Sequence, residues 1–152
     1  MSTLLDTNIL TRSAQPAHPM RQSAIDALAL LRQQGDVLCL VPQNFYEFWV
    51  VATRPVSVNG LGMTAAQAQF EFAALKQLFT VLDETPAVFA RWEQLVVQYQ
   101  VVGKTAHDAR LVAAMLVHGV NRLLTFNTPD FQRYPGITVI SPRDVLSSTG
   151  TP

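Results

Sequence analysis

The stretch that decides the fold is LLDTNIL, residues 4–10, in which two leucines run into an aspartate, a threonine and an asparagine before the chain turns apolar again. A strand with this pattern carries Asp6 towards the interior of the protein. A buried ionised carboxylate costs free energy unless it is paired or bound to a metal. The meaning of Asp6 therefore depends on whether other carboxylates have similar positions.

The composition is that of one globular domain. The chain has 152 residues, of which 49% are hydrophobic and 14% are charged, and this length is sufficient to bury a sizeable core. Its 11 basic and 11 acidic side chains give a formal net charge of zero, so any binding of phosphate must be local. We expect a single domain at residues 1–146 and a short polar C-terminal tail at residues 147–152.

Cysteine content and hydropathy predict a cytoplasmic protein. The single cysteine, Cys39, lies in the apolar run VLCLV and is expected to be a core residue, which fits a reducing compartment. No basic segment followed by an apolar one opens the chain, so we expect no signal peptide. No apolar run is long enough to cross a bilayer, so no membrane segment is expected.

Short apolar segments alternate with amphipathic ones along the chain. This alternation predicts an α/β fold of three layers, α/β/α, with a mostly parallel central sheet and helices on both faces. The predicted strands lie at 2–5, 36–41, 79–83, 122–126 and 137–141, and the predicted helices lie at 20–34, 43–54, 64–78, 86–99 and 105–118, with a short helix after Ser141.

Two predicted strands run directly into acids or amides. Asp6 ends the first strand, and Asn127 and Asp130 follow the strand at 122–126. In open parallel sheets, ligands bind outside the carboxyl ends of the strands. If these two strands are neighbours, their polar ends can contribute to one site.

Two helical acids are also unusual. Asp108 lies in the first turn of its helix, where the helix dipole tolerates negative charge, and it shares a face with Leu111 and Val112. Glu47 lies in PQNFYEFWVVAT, residues 42–53, a helix with almost no other charge. Both acids are therefore predicted to stand at the edge of the core.

Each acid alone also has a purely structural interpretation. Asp6 can cap the segment that follows it, and Asp108 can form a capping box with Thr105. Asp130 can be a first-turn acid, and Glu47 can point to solvent. Several acids at strand and helix ends that converge on one site favour the joint functional interpretation.

Converging carboxylates repel one another and raise one another's pKa values, and a divalent cation relieves this repulsion. Because His18, His107 and His118 lack the spacing of a metal site, the ligands are oxygen atoms. Oxygen ligands suit Mg²⁺ or Mn²⁺ rather than zinc. Such sites commonly serve phosphoryl transfer.

Four motifs stand in a set order along the chain: LLDTNIL at 4–10, PQNFYEF at 42–48, HDARLVAAM at 107–115 and LLTFNTPDF at 123–131. In these motifs the chain resembles the PIN-domain nucleases, in particular the toxin ribonucleases of VapBC-type toxin–antitoxin systems. The resemblance spans nearly the whole chain. It implies a PIN-like α/β/α fold and a Mg²⁺- or Mn²⁺-dependent endoribonuclease, in which metal-bound water hydrolyses RNA phosphodiesters.

The resemblance also implies roles for individual residues. Asp6 and Asp108 would be the main metal ligands and catalytic acids. Glu47 would hold a ligand, a metal-bound water or a second ion. Asn8 and Thr125 would orient the acids through hydrogen bonds.

The motif after the fourth strand departs from the family pattern. Many members have a fourth acid where this chain has Asn127, so the number of metal ions is one or two, and Asp130 is a candidate substitute. Three basic residues, Arg12, Lys104 and Arg110, flank the acids in sequence and are candidate contacts for RNA phosphates or solvated surface charges.

The resemblance implies an antitoxin protein as partner and a homodimer. Two other functions stay open from the sequence. Asn127 and the zero net charge are compatible with a PIN-fold module that binds RNA or protein but cleaves weakly. A phosphatase of the haloacid-dehalogenase type also begins with an aspartate at a strand end, although such an enzyme requires a second acid at the position of Asn8.

Overall fold

The computed structural model of the chain describes residues 1–148, so positions 149–152 of the expected tail lie outside the described residues. Its centre is a five-stranded sheet in the order β3-β2-β1-β4-β5, with every neighbouring pair parallel. This confirms the predicted parallel sheet. The strands are β1 (Ser2–Leu5), β2 (Val37–Leu40), β3 (Thr80–Val81), β4 (Arg122–Leu124) and β5 (Thr138–Ile140).

Seven α-helices surround the sheet in the described residues. The predicted helices are confirmed to within a residue or two at each end, and short 3₁₀ turns lie at Val56–Val58 and Thr128–Phe131. Nowhere in residues 1–148 does a helix combine the length and the apolar character that crossing a membrane requires. The helices are α1 (Thr7–Ser13), α2 (Arg21–Gln33), α3 (Pro42–Thr53), α4 (Ala65–Leu78), α5 (Pro86–Gln98), α6 (Thr105–His118) and α7 (Pro142–Ser147).

Alternate residues of the strands face two separate cores. Leu5 and Leu124 pack with α1, α2, α3 and α4, whereas Leu4 and Leu123 pack with α5 and α6. Side chains of a strand point alternately to opposite faces, so strands buried on both faces need apolar residues throughout. Cys39 is free and buried in the second core, as predicted. The three-layer arrangement follows from these two cores.

The outer strands of the sheet are short. β3 has two residues and β5 has three, and both residues of β3 are exposed. The predicted strands at 79–83 and 122–126 are longer than the observed β3 and β4. In the second case the chain leaves the sheet at Thr125, which places the polar residues of LLTFNTPDF beside the sheet edge.

At the amino end of the sheet, a buried acid has a full set of partners. The side chain of Asp36 forms an ion pair with Arg122 and accepts a hydrogen bond from the Thr3 hydroxyl at 3.1 Å. Arg122 also donates to the Thr3 hydroxyl at 3.0 Å. The negative charge of Asp36 is therefore balanced within the protein, in contrast to the acids at the opposite end of the sheet.

Candidate functional site

Asp6 lies at the carboxyl end of the central strand β1. Its N–H donates to the carbonyl oxygen of Leu124 at 2.9 Å, which continues the pairing of β1 with β4. Its side chain is buried, with 8% of the residue exposed. The Oδ2 atom accepts hydrogen bonds from the Thr125 hydroxyl at 2.7 Å and from the Asn8 amide at 3.1 Å. The carboxylate is thus held by side chains from the ends of two neighbouring strands.

The direction of the Thr125 hydrogen bond is set by its surroundings. The Thr125 hydroxyl oxygen accepts from the backbone N–H of Asn127 at 3.0 Å, so its proton is directed to Asp6. The Oδ1 atom of Asn8 accepts from the backbone N–H of Phe126 at 3.3 Å, which leaves its amide group facing Asp6. Both predicted orienting residues therefore contact the acid.

Gln43 connects the second acid, Glu47, to α6. Its Nε2 group donates to Oε1 of Glu47 at 2.6 Å and to the carbonyl oxygen of His107 at 2.8 Å. Gln43 is 5% exposed. Because His107 directly precedes Asp108, this one amide fixes the carboxylate of α3 relative to the helix that carries the third acid.

Asn44 joins α3 to the chain on both sides of Asp6. Its Oδ1 atom accepts from the N–H of Val41 at 2.8 Å, and its Nδ2 group donates to the carbonyl of Leu5 at 3.0 Å and the hydroxyl of Thr7 at 3.1 Å. The residue is fully buried. α3 is therefore tied directly to the end of β1.

Sequence reasoning missed Gln43 and Asn44. The signal that could have found them is two adjacent amides in the first turn of an otherwise apolar helix. Buried polar side chains are nearly always hydrogen-bonded, so amides on a helix face that packs on the core must have specific partners. The motif PQNFYEF carries this signal beside Glu47.

Asp108 is not part of a capping box. The Thr105 hydroxyl donates to the carbonyl of Val102 at 2.7 Å, and the N-cap residue is Lys104, without a side-chain cap. The capping-box interpretation is therefore wrong, because Thr105 already lies inside the helix. Asp6 does occupy the N-cap position of α1, but its side chain makes no capping hydrogen bond.

Four acids are coupled electrostatically, and we call Asp6, Glu47, Asp108 and Asp130 the acidic cluster. Burial, reinforced by the negative charges of Asp6, Asp130 and Glu47, raises the pKa of Asp108 to about 7. Burial also raises the pKa of Asp6, and Asp130 adds to this increase. Burial raises the pKa of Glu47 in the same way, and Asp6 adds to it. The cluster therefore has an excess of negative charge.

Neighbouring donors and cations offset part of this excess. The Thr125 hydroxyl and then Arg12 lower the pKa of Asp6 against the larger effect of burial. The Gln43 amide and then the charges of His107 and Arg110 do the same for Glu47. The net pKa shifts remain upward, because burial and the neighbouring acids together outweigh these groups.

The two polar residues after β4, Asn127 and Asp130, make different contributions to the site. Asn127 is exposed, and its backbone N–H contacts the Thr125 hydroxyl. Asp130 lies in the 3₁₀ turn Thr128–Phe131, and its charge acts on Asp6 and Asp108. Asp130 therefore supplies the fourth negative charge.

The three predicted phosphate contacts have different surroundings. Arg12 lies over the ring of Phe126, 4.8 Å from its centroid, and Arg110 forms an ion pair with Glu84. Lys104 is exposed at the N-cap of α6. The structure connects Arg12 and Arg110 electrostatically to the acidic cluster.

The carboxylates of the cluster do not converge on one point. Within residues 1–148, no three histidine, cysteine or acidic side chains are arranged to hold a metal ion. Carboxylates repel one another when they are ionised, so they are not expected to gather at one point without a cation.

A family model described as "PIN domain" matches residues 3–137. The chain belongs to the PIN domain family. This confirms the resemblance drawn from the four motifs and does not support the phosphatase alternative. A comparison with curated protein sequences found no significant match.

Solved structures with the PIN fold include toxin–antitoxin proteins. VapBC2 from Rickettsia felis, bound to a promoter DNA fragment, has a TM-score of 0.69 and 17% identity over 93% of this chain and 98% of that chain. A toxin–antitoxin complex from Klebsiella pneumoniae has a TM-score of 0.65 and 25% identity over 92% and 97%. VapC20 from Mycobacterium tuberculosis, a toxin that cleaves the sarcin–ricin loop, has a TM-score of 0.62 and 16% identity over 80% and 86%. These proteins share the fold of this PIN domain.

The raised pKa of Asp108 predicts a pH-dependent loss of stability. Between its ordinary value of 3.8 and about 7, the folded state binds more protons at Asp108 than the unfolded state does, so the free energy of unfolding falls as pH rises through this window. Asp108→Asn removes this titration. We therefore expect the variant to gain stability relative to wild type as pH rises, as measured by urea denaturation in buffer with chelator.

The control is Asp26→Asn, which alters an exposed aspartate of α2. Its stability difference from wild type should change little with pH. A difference between Asp108→Asn and wild type that is constant from about pH 4 to about pH 8 would contradict the raised pKa of Asp108.

Gln43→Met is expected to raise the pKa of Glu47, because it removes the side-chain donor that lowers this pKa. It also leaves the His107 carbonyl without this donor, at a stability cost of about 1–3 kcal/mol. The pKa is measured by NMR titration of the Glu47 side-chain carboxyl carbon.

Gln22→Met is a matched control, since Gln22 donates to Asp26 at the same four-residue spacing, at 2.8 Å on the exposed face of α2. It should leave the Glu47 titration unchanged. An unmoved Glu47 midpoint in Gln43→Met would show that the amide does not control this carboxylate.

Proposed function

We propose that this PIN domain is a metal-dependent endoribonuclease and the toxin component of a VapBC-type toxin–antitoxin pair. The observation that carries the proposal is the acidic cluster, in which burial and the charges of neighbouring acids raise the pKa values of Asp6, Glu47 and Asp108. A fold rarely keeps such repulsion without use, because it lowers stability. Perturbed carboxylates at the carboxyl ends of parallel strands are typical of functional sites.

The donor set of the cluster fits a divalent cation. Asp6, Asp108 and Glu47 offer oxygen ligands only, which suits Mg²⁺ or Mn²⁺. When bound, such an ion lowers the pKa of water and neutralises charge on a phosphodiester. Asp130 is the candidate fourth acid, whereas Asn127 has no charge to offer, so we expect a second ion to bind more weakly than the first.

The side chains around the ligands prepare them for this role. Thr125 and Asn8 both donate to the Oδ2 atom of Asp6. The Oδ1 atom is therefore the one we expect to bind the cation. The Gln43 amide favours the ionised form of Glu47. A cation held by the cluster would favour the ionised form of Asp108, because positive charge offsets the repulsion from the neighbouring acids. Arg12, Arg110 and Lys104 supply positive charge for RNA phosphates.

The toxin role rests on the similar structures. Those from Rickettsia felis and Klebsiella pneumoniae are toxin–antitoxin assemblies, and VapC20 is a toxin that cleaves RNA of the sarcin–ricin loop. We infer by analogy a cognate antitoxin protein, a cytoplasmic location and a homodimer for this chain.

Asp6→Asn is expected to lose divalent-metal binding and RNA cleavage together, because it removes the charge of the most buried ligand. Isothermal titration with Mn²⁺ measures binding, and cleavage of single-stranded RNA with Mg²⁺ or Mn²⁺ measures activity. We expect cleavage to fall by at least about 10²-fold, the size typical of losing a group that acts on the developing charge.

Asp26→Asn, on the surface of α2, is the control and should keep both properties. Full cleavage by Asp6→Asn would exclude the proposed mechanism. RNA binding without metal-dependent cleavage in the wild type would instead favour the alternative, a PIN-fold RNA- or protein-binding module.

The homodimer is tested by sedimentation of the purified protein. We expect a dimer at micromolar concentration, since exposed apolar side chains such as Tyr46 and Val50 are available on α3 for burial between copies. A monomer throughout the micromolar range would contradict this proposal and leave the nuclease proposal standing.

A further inference from the structure

Beside the acidic cluster lies a cavity of about 580 Å³ between α5 and α6. Phe89 and Trp92 of α5 line one side, and His107 and Arg110 of α6 line the other. We propose that this aromatic cavity is a subsite for an unstacked nucleobase of a single-stranded RNA substrate. The inference rests on the proposed ribonuclease function and adds to it the place where a base next to the cleaved phosphate binds.

The two rings of the aromatic cavity form a platform. Phe89 and Trp92 are stacked, with centroids 6.0 Å apart and planes inclined by 30°. Phe89 is 64% exposed, although burying a phenylalanine in the core would be more favourable. Proteins that bind single strands stack bases on such exposed rings, and the contact tolerates any base because every base has a π-face.

The platform is fixed to the helix of the acidic cluster. The indole Nε1 of Trp92 donates to the carbonyl oxygen of Ala106 at 2.8 Å. Ala106 is followed by His107 and then by Asp108. The ring therefore keeps a set position relative to the acids, which a specific substrate contact requires.

Two side chains of the aromatic cavity also act electrostatically on the acidic cluster. His107 and Arg110 line it, and both also lower the pKa of Glu47, so they lie within electrostatic reach of that acid. One strand of RNA can thus place a phosphate at the acids and the adjoining base on the platform. His107 and Arg110 both line the cavity and act on Glu47, so they are available to the backbone of the strand.

The ion pair of Arg110 with Glu84 does not block this use. Its two side chains are about a third exposed, at 37% and 35%. Surface ion pairs contribute little, so a phosphate can replace Glu84 as partner of Arg110 at small cost. Glu84 then acts as a competitor for the same guanidinium group.

A protein side chain is the other possible occupant of the aromatic cavity. The presence of His107 and Arg110 in the lining favours RNA, since an apolar partner would leave them unused. A second exposed phenylalanine offers a comparison: Phe70 of α4 is 75% exposed and lines a separate cavity with Leu61 and Met63.

The test measures KM and kcat for cleavage of short single-stranded RNA by wild type and by Phe89→Ala, Phe89→Tyr and Phe70→Ala. Stacking holds substrate and transition state alike, so its loss raises KM and leaves kcat nearly unchanged. We expect KM to rise about tenfold in Phe89→Ala, the size expected for one stacked base. Phe89→Tyr keeps an aromatic ring and should have a KM close to that of wild type. Phe70→Ala should also leave KM unchanged.

A direct readout uses the two tryptophans of the chain. In Trp49→Phe, Trp92 is the sole indole, and oligo-A, oligo-U and oligo-C RNA are titrated in the presence of chelator. We expect quenching of Trp92 fluorescence that depends on Phe89. An oligonucleotide with abasic sites should bind wild type and Phe89→Ala equally.

The outcomes separate the two proposals. Metal-dependent cleavage with the same KM in wild type and Phe89→Ala would overturn the base subsite and keep the nuclease. A lost dimer in Phe89→Ala, with RNA binding unchanged, would assign the cavity to a protein contact and also overturn it. Absence of cleavage in the wild type, with Phe89-dependent quenching by RNA, would overturn the nuclease and keep the aromatic cavity only as the base-binding site of an RNA-binding module.

Discussion

The hydrogen bond from the Thr125 hydroxyl to the buried carboxylate of Asp6 is the constraint on which the site depends. It joins the ends of β1 and β4, and it forms only because the two strands are neighbours in parallel register. The N–H of Asn127 fixes the direction of the bond. An unpartnered carboxylate at this depth would cost several kcal/mol or take up a proton. The fold thus keeps one acid in place before any ligand arrives.

The two ends of the sheet treat buried charge in opposite ways. Asp36 at the amino end is neutralised by Arg122, which is a structural solution. At the carboxyl end, the cations and donors near the acids offset their repulsion only in part, and Asp108 keeps a pKa of about 7. The protein therefore concentrates electrostatic strain at one edge, where a ligand of positive charge gains most by binding.

The sequence is sufficient for the five strands and for the helices from α2 onwards, because apolar periodicity is a local pattern, but the helix α1 directly after Asp6 was not predicted. Asp108 could be placed on a buried face from residues three and four positions away. The amide of Gln43 could not be assigned, because its partner His107 lies on another helix and only the folded chain brings them together. Whether Asp130 lies near enough to act on Asp6 and Asp108 depended likewise on the path of the 3₁₀ turn Thr128–Phe131.

The short outer strands limit how copies of this chain can associate. A sheet edge recruits another chain through a row of unpaired N–H and C=O groups, and edges of two or three residues present very few of them. Continuous sheets across two molecules are therefore disfavoured, as is strand-mediated aggregation. Self-association would therefore bury side chains on the outward faces of the helices. Those side chains, and not backbone pairing between strands, would determine which surfaces associate.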